Sequence, residues 1–146
     1  MLAMGMVVQT DSAIACFDSK YHYMRWRPIT AIRADGVVAD ATWTPLAATP
    51  NHPEYPSQHA CGLAALGDTL ANVLGTTNLN VTIPGFASPT LTTYRTYATE
   101  VDLDTELLGA RVWIGYHFRT SVVVGEDLGH SVAAWALDRY FLPKTN

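Results

Sequence analysis

Three groups of residues place a cation or a histidine where folding alone does not ask for one. In the first, Lys20 and Arg27 stand seven residues apart. Seven residues is two helical turns, so on one continuous helix both side chains leave the same face and can converge on a bound group. The pair also reads as two solvated cations near a helix C-terminus, where the macrodipole favours positive charge. The second group is Pro56-Ser57-Gln58-His59. Ser57 is a good N-cap, the free N–H groups of a helix start make an anion site, and His59 in the first turn can donate or accept a proton. A plain cap with an ordinary histidine is the alternative. In the third group, Arg111 and His117 would lie roughly 120° apart on an unbroken helix. Gly115 between them allows a bend that returns both to one pocket; a surface-paired Arg and a core-edge His are the other reading. His52, among prolines, reads by itself as a solvated loop histidine.

Together these groups supply Arg27, Arg111, Lys20, the Ser57 hydroxyl, a helix N-terminus, His59 and His117. That set suits a tetrahedral oxyanion, because guanidiniums give paired oxygen contacts, an ammonium gives a point charge and N–H groups donate. One histidine can attack or ligate the central atom while the other handles a proton.

Lys20-x6-Arg27-Pro28, Pro56-Ser57-x-His59 and Arg111-x5-His117 resemble the three-part signature shared by type 2 phosphatidic acid phosphatases, bacterial acid phosphatases and vanadium-dependent haloperoxidases. The words RWRPITAIR, WTPLAATPNHPEYPS and ARVWIGYHFR are most similar to the bacterial and plant haloperoxidase branch. The resemblance implies a vanadate cofactor. Lys20, Arg27 and Arg111 would neutralise its oxygens, Ser57 and the backbone N–H of Gln58 would complete the contacts, His117 would bind vanadium and His59 would be the acid–base partner. It further implies a halide pocket at His52 and Phe17, with bromide favoured, and halide, hydrogen peroxide and a small organic acceptor as partners. A phosphomonoesterase with His117 as nucleophile is the second reading, since vanadate resembles the phosphoryl-transfer state. A non-catalytic oxyanion-binding remnant is the third.

The chain departs from that pattern in three places. Gln58 stands where the family mostly has Gly, and Ala110 where the third motif usually begins with Ser. Ser121 stands where an acid usually follows the histidine by four residues. Such an acid would orient the ring of His117 and raise its basicity, and Glu126 or Asp127 is expected to substitute in space. The chain begins 19 residues before Lys20, whereas proteins of this type carry a long helical N-terminal region. The expectation is half of the usual bundle, as a fragment or with a second copy covering its exposed faces, the homodimer being preferred.

Four helical stretches must position these groups. The first spans about Leu2 to Arg25 and ends near Trp26 or Arg27, because Pro28 pushes its predecessor out of helical geometry. From Pro28 to Pro56, a run punctuated by Pro45, Pro50 and Pro53 predicts one long ordered loop, with Gly36 its only glycine. The second helix opens at Ser57 and ends at Gly75. A polar connection follows to about Pro89, with a short strand pair around 81–86. Thr99-Glu100-Val101-Asp102 resembles a capping box, although a helix starting near Pro89 is also compatible. Helix then covers Asp102 to about Ile114, and a last helix runs from His117 to Phe141 with Val124, Leu128, Val132, Trp135 and Tyr140 as its buried stripe. The fold class is all-α: a single domain, 1–146, forming a helical bundle with a proline-rich active-site loop.

Composition bounds the partners. The chain is 49% apolar and 15% charged, a folding composition rather than a disordered one. Nine Lys+Arg against 13 Asp+Glu leave no basic excess for a nucleic-acid backbone. Cys16 and Cys61 form no zinc pattern and read as small buried residues. The start has no basic n-region, and 60–74 is too short and too polar to span a bilayer, so a soluble chain without a visible signal peptide is expected.

Overall fold

Small residues at helical spacing decide how the main helices meet. On α1 (Leu2–Tyr23) the buried positions are Gly5, Val8, Ser12, Cys16 and Lys20. On α3 (Gln58–Leu74) they include Ala60, Cys61, Ala64 and Ala65, and on α5 (Arg119–Leu137) they are Ser121, Val122, Gly125, Gly129, Ala133 and Ala136. A Cβ at Gly125 would lie 2.6 Å from the carbonyl oxygen of Ser57, and one at Gly129 would lie 2.3 Å from that of Cys61. No side chain fits there, so α5 rests directly on the α3 backbone. This close approach also moves the buried stripe of α5 away from the expected one. Val124, Leu128 and Val132 are half-buried, and Trp135 and Tyr140 are exposed.

The computed structural model describes residues 2–34, 39–88, 91–140 and 142. Gly36, Pro89 and Phe141, which entered the expectations above, lie outside them. The element order is α1, α2 (Pro28–Ala34), α3, a hairpin of β1 (Asn78–Ser88) and β2 (Leu91–Thr99), α4 (Glu100–Trp113) and α5. The two strands pair antiparallel with Val81 opposite Tyr97 and Ile83 opposite Arg95. The helices α1, α3 and α5 form the core around Val8, Ala65, Ala133 and Ala136, and α4 packs mainly on α3. Among the described residues no helix is long and apolar enough to cross a membrane.

Three expectations change. Helix α1 stops at Tyr23 because Met24 takes a left-handed φ of 48°. The long loop contains α2, which Pro28 opens with its preset φ, while the Arg27 carbonyl accepts from Thr30 and Ala31. Strand β2 occupies 91–99, which excludes an early start of α4; instead the Thr99 hydroxyl accepts from the Asp102 amide and the Asp102 carboxylate accepts from the Thr99 amide, a complete capping box.

Beyond its middle, away from Ser57, α5 is tied to two neighbours. The Nδ1 of His130 lies 2.9 Å from Asp68 of α3, and its Nε2 lies 3.4 Å from Asp104 of α4.

Candidate functional site

The loop from His52 to Ser57 gathers the side chains singled out by type and spacing. Lys20, in the last turn of α1 and fully buried, donates from Nζ to the carbonyls of Pro53 (2.9 Å), Glu54 (3.1 Å) and Pro56. Three acceptors match the three donors of an ammonium group. Burial pushes Lys20 down to about 8, opposed by Cys16 and reinforced by Arg27.

Arg27 reaches the same loop by another route than the one expected. It is not on α1, because the turn at Met24 ends that helix. Its Nε and Nη2 donate to the His52 carbonyl at 3.2 and 3.1 Å, and its Nη1 donates to the Tyr116 carbonyl at 3.0 Å. The Nη1 also lies 3.1 Å from His117 Nε2, and Nη2 lies 3.2 Å from His52 Nδ1. Convergence with Lys20 therefore comes from the loop and not from a shared helical face.

The residue missing from the sequence reading is Glu54, whose side chain is fully buried. Its Oε1 accepts from His117 Nδ1 (2.9 Å) and from the Phe118 amide (3.0 Å), and its Oε2 accepts from Ser121 Oγ (2.6 Å). Burial alone would raise this carboxyl, but the hydrogen bonds from His117, Ser121 and Phe118 hold it below the usual carboxylate range. Glu126 and Asp127 do not take this place. They lie at least seven residues beyond the start of α5, about 10 Å along its axis, and Glu126 is grouped with Asp104 and His130. The available signal was a carboxylate next to Pro53, three residues before Ser57, together with a hydroxyl at position 121.

Burial pushes His117 down to about 4, with the Glu54 hydrogen bond opposing and Arg27 assisting. The ring is therefore neutral near pH 7. Its Nδ1–H donates to Glu54, which leaves the lone pair on Nε2 facing Arg27. The bend that brings His117 back beside Arg111 is at Gly115, with φ of 83°. Trp43 would lie 2.7 Å from a Cβ there, so the turn and the crowding both require glycine.

Arg111, in the last turn of α4, stacks its guanidinium 4.8 Å from the ring centre of Tyr116. Its Nε and Nη2 are buried without a hydrogen-bond partner, and so is the hydroxyl of fully buried Ser57. Ser57 does stand at the N-cap of α3, but its side chain makes no capping bond; its amide donates to the Ser121 carbonyl at 2.8 Å. Leaving a buried donor unsatisfied costs about 1–3 kcal/mol, so these atoms, beside the open N–H groups of α3, form a cradle with unmet demand for oxygen acceptors.

His59 sits at the exposed rim of this cradle. Burial of part of the ring, then the charges of Arg111, His52, Lys20 and Arg27, push it down to about 4. Phe17 and half-buried His52 meet edge to face with ring centres 5.2 Å apart. The side chain of Gln58 does not turn into the cradle; its Nε2 extends along α3 towards Gly62. Lys20, Arg27 and His117 thus meet at the 52–57 loop, with His52 and Phe17 at the Arg27 side, Ser57 at the end of that loop, and His59 within the field of Arg111. Cys16 and Cys61 are free and buried.

The family model for the VCPO second helical-bundle domain matches residues 1–142 of this chain, which therefore belongs to that family. Its fold is similar to that of a bacterial vanadium-dependent iodoperoxidase, described as the first such bacterial enzyme, with TM-score 0.79 and 26% identity over 92% of this chain and 32% of that one. It is also similar to a bacterial vanadium-dependent chloroperoxidase in its holo form, with TM-score 0.76 and 22% identity over 90% of this chain and 33% of that one. The apo form gives TM-score 0.72 and 22% identity, covering 90% and 36%. The chain spans about a third of the length of these structures. No curated protein gives a significant match.

Proposed function

We propose that this chain carries the oxyanion site of a vanadate-dependent haloperoxidase. The observation that supports this most directly is the donor set itself: buried, unpartnered donors on Ser57 and Arg111, the start of α3, and Arg27 lying against the lone pair of a neutral histidine. Such a donor set fits a tetrahedral oxyanion and does not suit a bare cation. Vanadate bound here supplies a Lewis-acid centre at which hydrogen peroxide oxidises a halide to a hypohalous species.

Each residue then has a definable task. Arg27 and Arg111 offset the negative charge, the Ser57 hydroxyl and the Gln58 N–H complete the contacts, and Lys20 adds its charge from beneath while holding the 53–56 loop in place. His117 offers Nε2 as the ligand, and Glu54 fixes the tautomer that makes this possible. His59 is neutral because part of its ring is buried and cations lie near it; an anion among them offsets their field and lets the ring take and return a proton. His52 and Phe17 form the halide pocket, for which bromide is the favoured ion.

A second reading draws on the His117–Glu54 contact. A neutral imidazole whose Nδ1–H is held by a carboxylate is also an activated nucleophile, so the same cradle suits a phosphomonoesterase. One experiment separates them: calorimetric titration of vanadate, with bromide-and-peroxide halogenation of a dye followed in the same samples. Halogenation rising in step with occupancy is the expected result. Binding without halogenation, with phosphomonoester hydrolysis that vanadate inhibits, would establish the phosphatase. Binding without either activity would leave an oxyanion-binding remnant.

A further inference from the structure

The chain has two cysteines, and the fold sets them against each other. Cys16 is on α1 and Cys61 on α3; both are fully buried and neither is in a disulfide. The Ser12 hydroxyl, one turn before Cys16, donates to the carbonyl of Cys61 at 2.8 Å, so α1 lies directly on the α3 backbone at that residue. The two thiols are hydrogen-bonded to each other.

The pair is not symmetric. Cys16 Sγ also lies 3.8 Å from the carbonyl oxygen of Pro56, the same oxygen to which Lys20, one turn further along α1, donates. The hydrogen bond from Cys61 holds the Cys16 thiol below its ordinary range, burial opposes it, and the Lys20 charge assists. Cys61 is pushed up by the same bond and by burial. A thiol lowered beside an ammonium group is the one that reacts as a thiolate, and a second thiol in contact is placed to displace what forms on it. A cysteine acting only as a small core residue requires neither the cation nor the partner.

We propose that Cys16 and Cys61 are a peroxide-reactive dithiol that closes to a disulfide and staples α1 to α3 beneath the anion cradle. In the first step the Cys16 thiolate attacks one oxygen of hydrogen peroxide and the O–O bond breaks. The hydroxide released takes up the proton that the thiol gave up and leaves as water, with a sulfenic acid on Cys16. The Cys61 sulfur then attacks the Cys16 sulfur, the S–O bond breaks, and the hydroxyl leaves with the Cys61 proton as a second water. Two electrons pass from the two thiols to one peroxide. The step stands apart from the haloperoxidase reading, since added peroxide alone drives it. The ring so closed contains Lys20, Arg27, His52, Glu54, Ser57 and His59, so oxidation ties down the segment that builds the site. Closing a long loop in this way stabilises the fold by restricting the unfolded chain.

The test uses the 146-residue chain and the variants Cys16→Ser, Cys61→Ser and Cys61→Ala, each treated in the folded state with equimolar hydrogen peroxide. Free thiols are counted after unfolding, intact mass is recorded, and Tm is measured with and without dithiothreitol. In the parent both thiols should disappear together, with the mass of two hydrogens lost and no dimer on a non-reducing gel. Its Tm should rise by about 5–10 °C until dithiothreitol reverses the change. Either Cys61 variant should stop at a sulfenic acid on Cys16 that dimedone traps, and Cys16→Ser should react about tenfold more slowly. The two Cys61 variants put different side chains in the core, so a packing defect in one leaves the other to report. Survival of both thiols in the folded parent overturns the proposal. So does a disulfide formed only between molecules, or oxygen added to one cysteine while the other stays free. Equal reactivity of Cys16→Ser and Cys61→Ser overturns the choice of Cys16 as the attacking thiol.

Discussion

Two histidines lie along the α3–α5 pair, His117 just before α5 and His130 beyond its middle, and each has a carboxylate oxygen 2.9 Å from its Nδ1. Their protons nevertheless respond in opposite directions. His117, beside Glu54, is pushed down to about 4 by burial, and Arg27 adds to the effect. His130, beside Asp68, is pushed up: burial opposes the charge there, but Asp68, Asp104 and Glu100 together outweigh it. A carboxylate contact therefore does not decide whether a histidine is charged. The burial and the remaining neighbours decide it: cations near Ser57, carboxylates near Asp68. One place keeps a neutral imidazole with a usable lone pair, and the other fastens α4 to the core with an ionic clasp.

The largest effect is expected from breaking the first of these. Glu54→Ala leaves His117 Nδ1, the Phe118 amide and Ser121 Oγ without their acceptor in a buried place. Leaving buried donors without an acceptor costs about 1–3 kcal/mol each, read as a drop in urea-unfolding stability. Vanadate affinity should fall with it, because the ring loses its fixed tautomer. Adding Ser121→Asp in the same chain returns an acid to the neighbourhood and should recover part of both losses. If the single variant loses less than about 1 kcal/mol, the carboxylate is not the anchor described.

A smaller and cleaner effect distinguishes the two arginines of the cradle. Arg111→Ala removes a group whose Nε and Nη2 have no partner in the protein. Vanadate affinity should fall about 10- to 100-fold by calorimetry, with the unfolding midpoint nearly unchanged. Arg27→Ala should weaken binding and stability together, because its guanidinium also holds the His52 and Tyr116 carbonyls. Equal stability losses for the two variants would mean that Arg111 is structural as well.

Much of this arrangement is legible in the sequence, and the remainder is hidden for definite reasons. Residues whose role follows from local rules are readable: Ser57 at the start of α3, Gly75 at its left-handed end, Gly115 at the bend, and the Thr99–Asp102 box. Lys20, Arg27 and Arg111 were found by charge in an otherwise weakly charged chain. Glu54 was missed because its partners lie 63 and 67 positions away, a separation that no local spacing encodes. The buried face of α5 departs from the expected stripe because large apolar residues do not mark it. At the α3 contact only the absence of a side chain permits packing, so Gly125 and Gly129 mark it. Helix α2 lay within a stretch whose prolines looked like loop, although Pro28 is well suited to a first helical turn.

The smallest effect sharpens the contrast through pH. Around His130, Glu126 is raised to about 7 by burial and then by Asp104, Asp104 is raised by burial, and His130 is raised by its carboxylates. All three bind protons more tightly folded than unfolded. Their contribution is complete below the ordinary carboxylate range and is lost as pH rises through about 7 and through the elevated range of His130. Around Ser57 the sign reverses. Glu54 is lowered, and His59 and His117 are lowered to about 4, so that group stabilises the fold above the ordinary histidine range and weakens as pH falls towards 4. Between about pH 4 and 8 stability should therefore peak at mildly acidic pH and decline on both sides for different reasons, the lowered Lys20 acting only above that range. Glu126→Gln removes one raised carboxyl while keeping its shape, and should flatten only the alkaline decline. Because Glu126 is partly exposed, solvent screening limits the gain at pH 8 to no more than about 2–4 °C in Tm. A variant that flattens the acid limb instead would place the proton uptake around the wrong histidine.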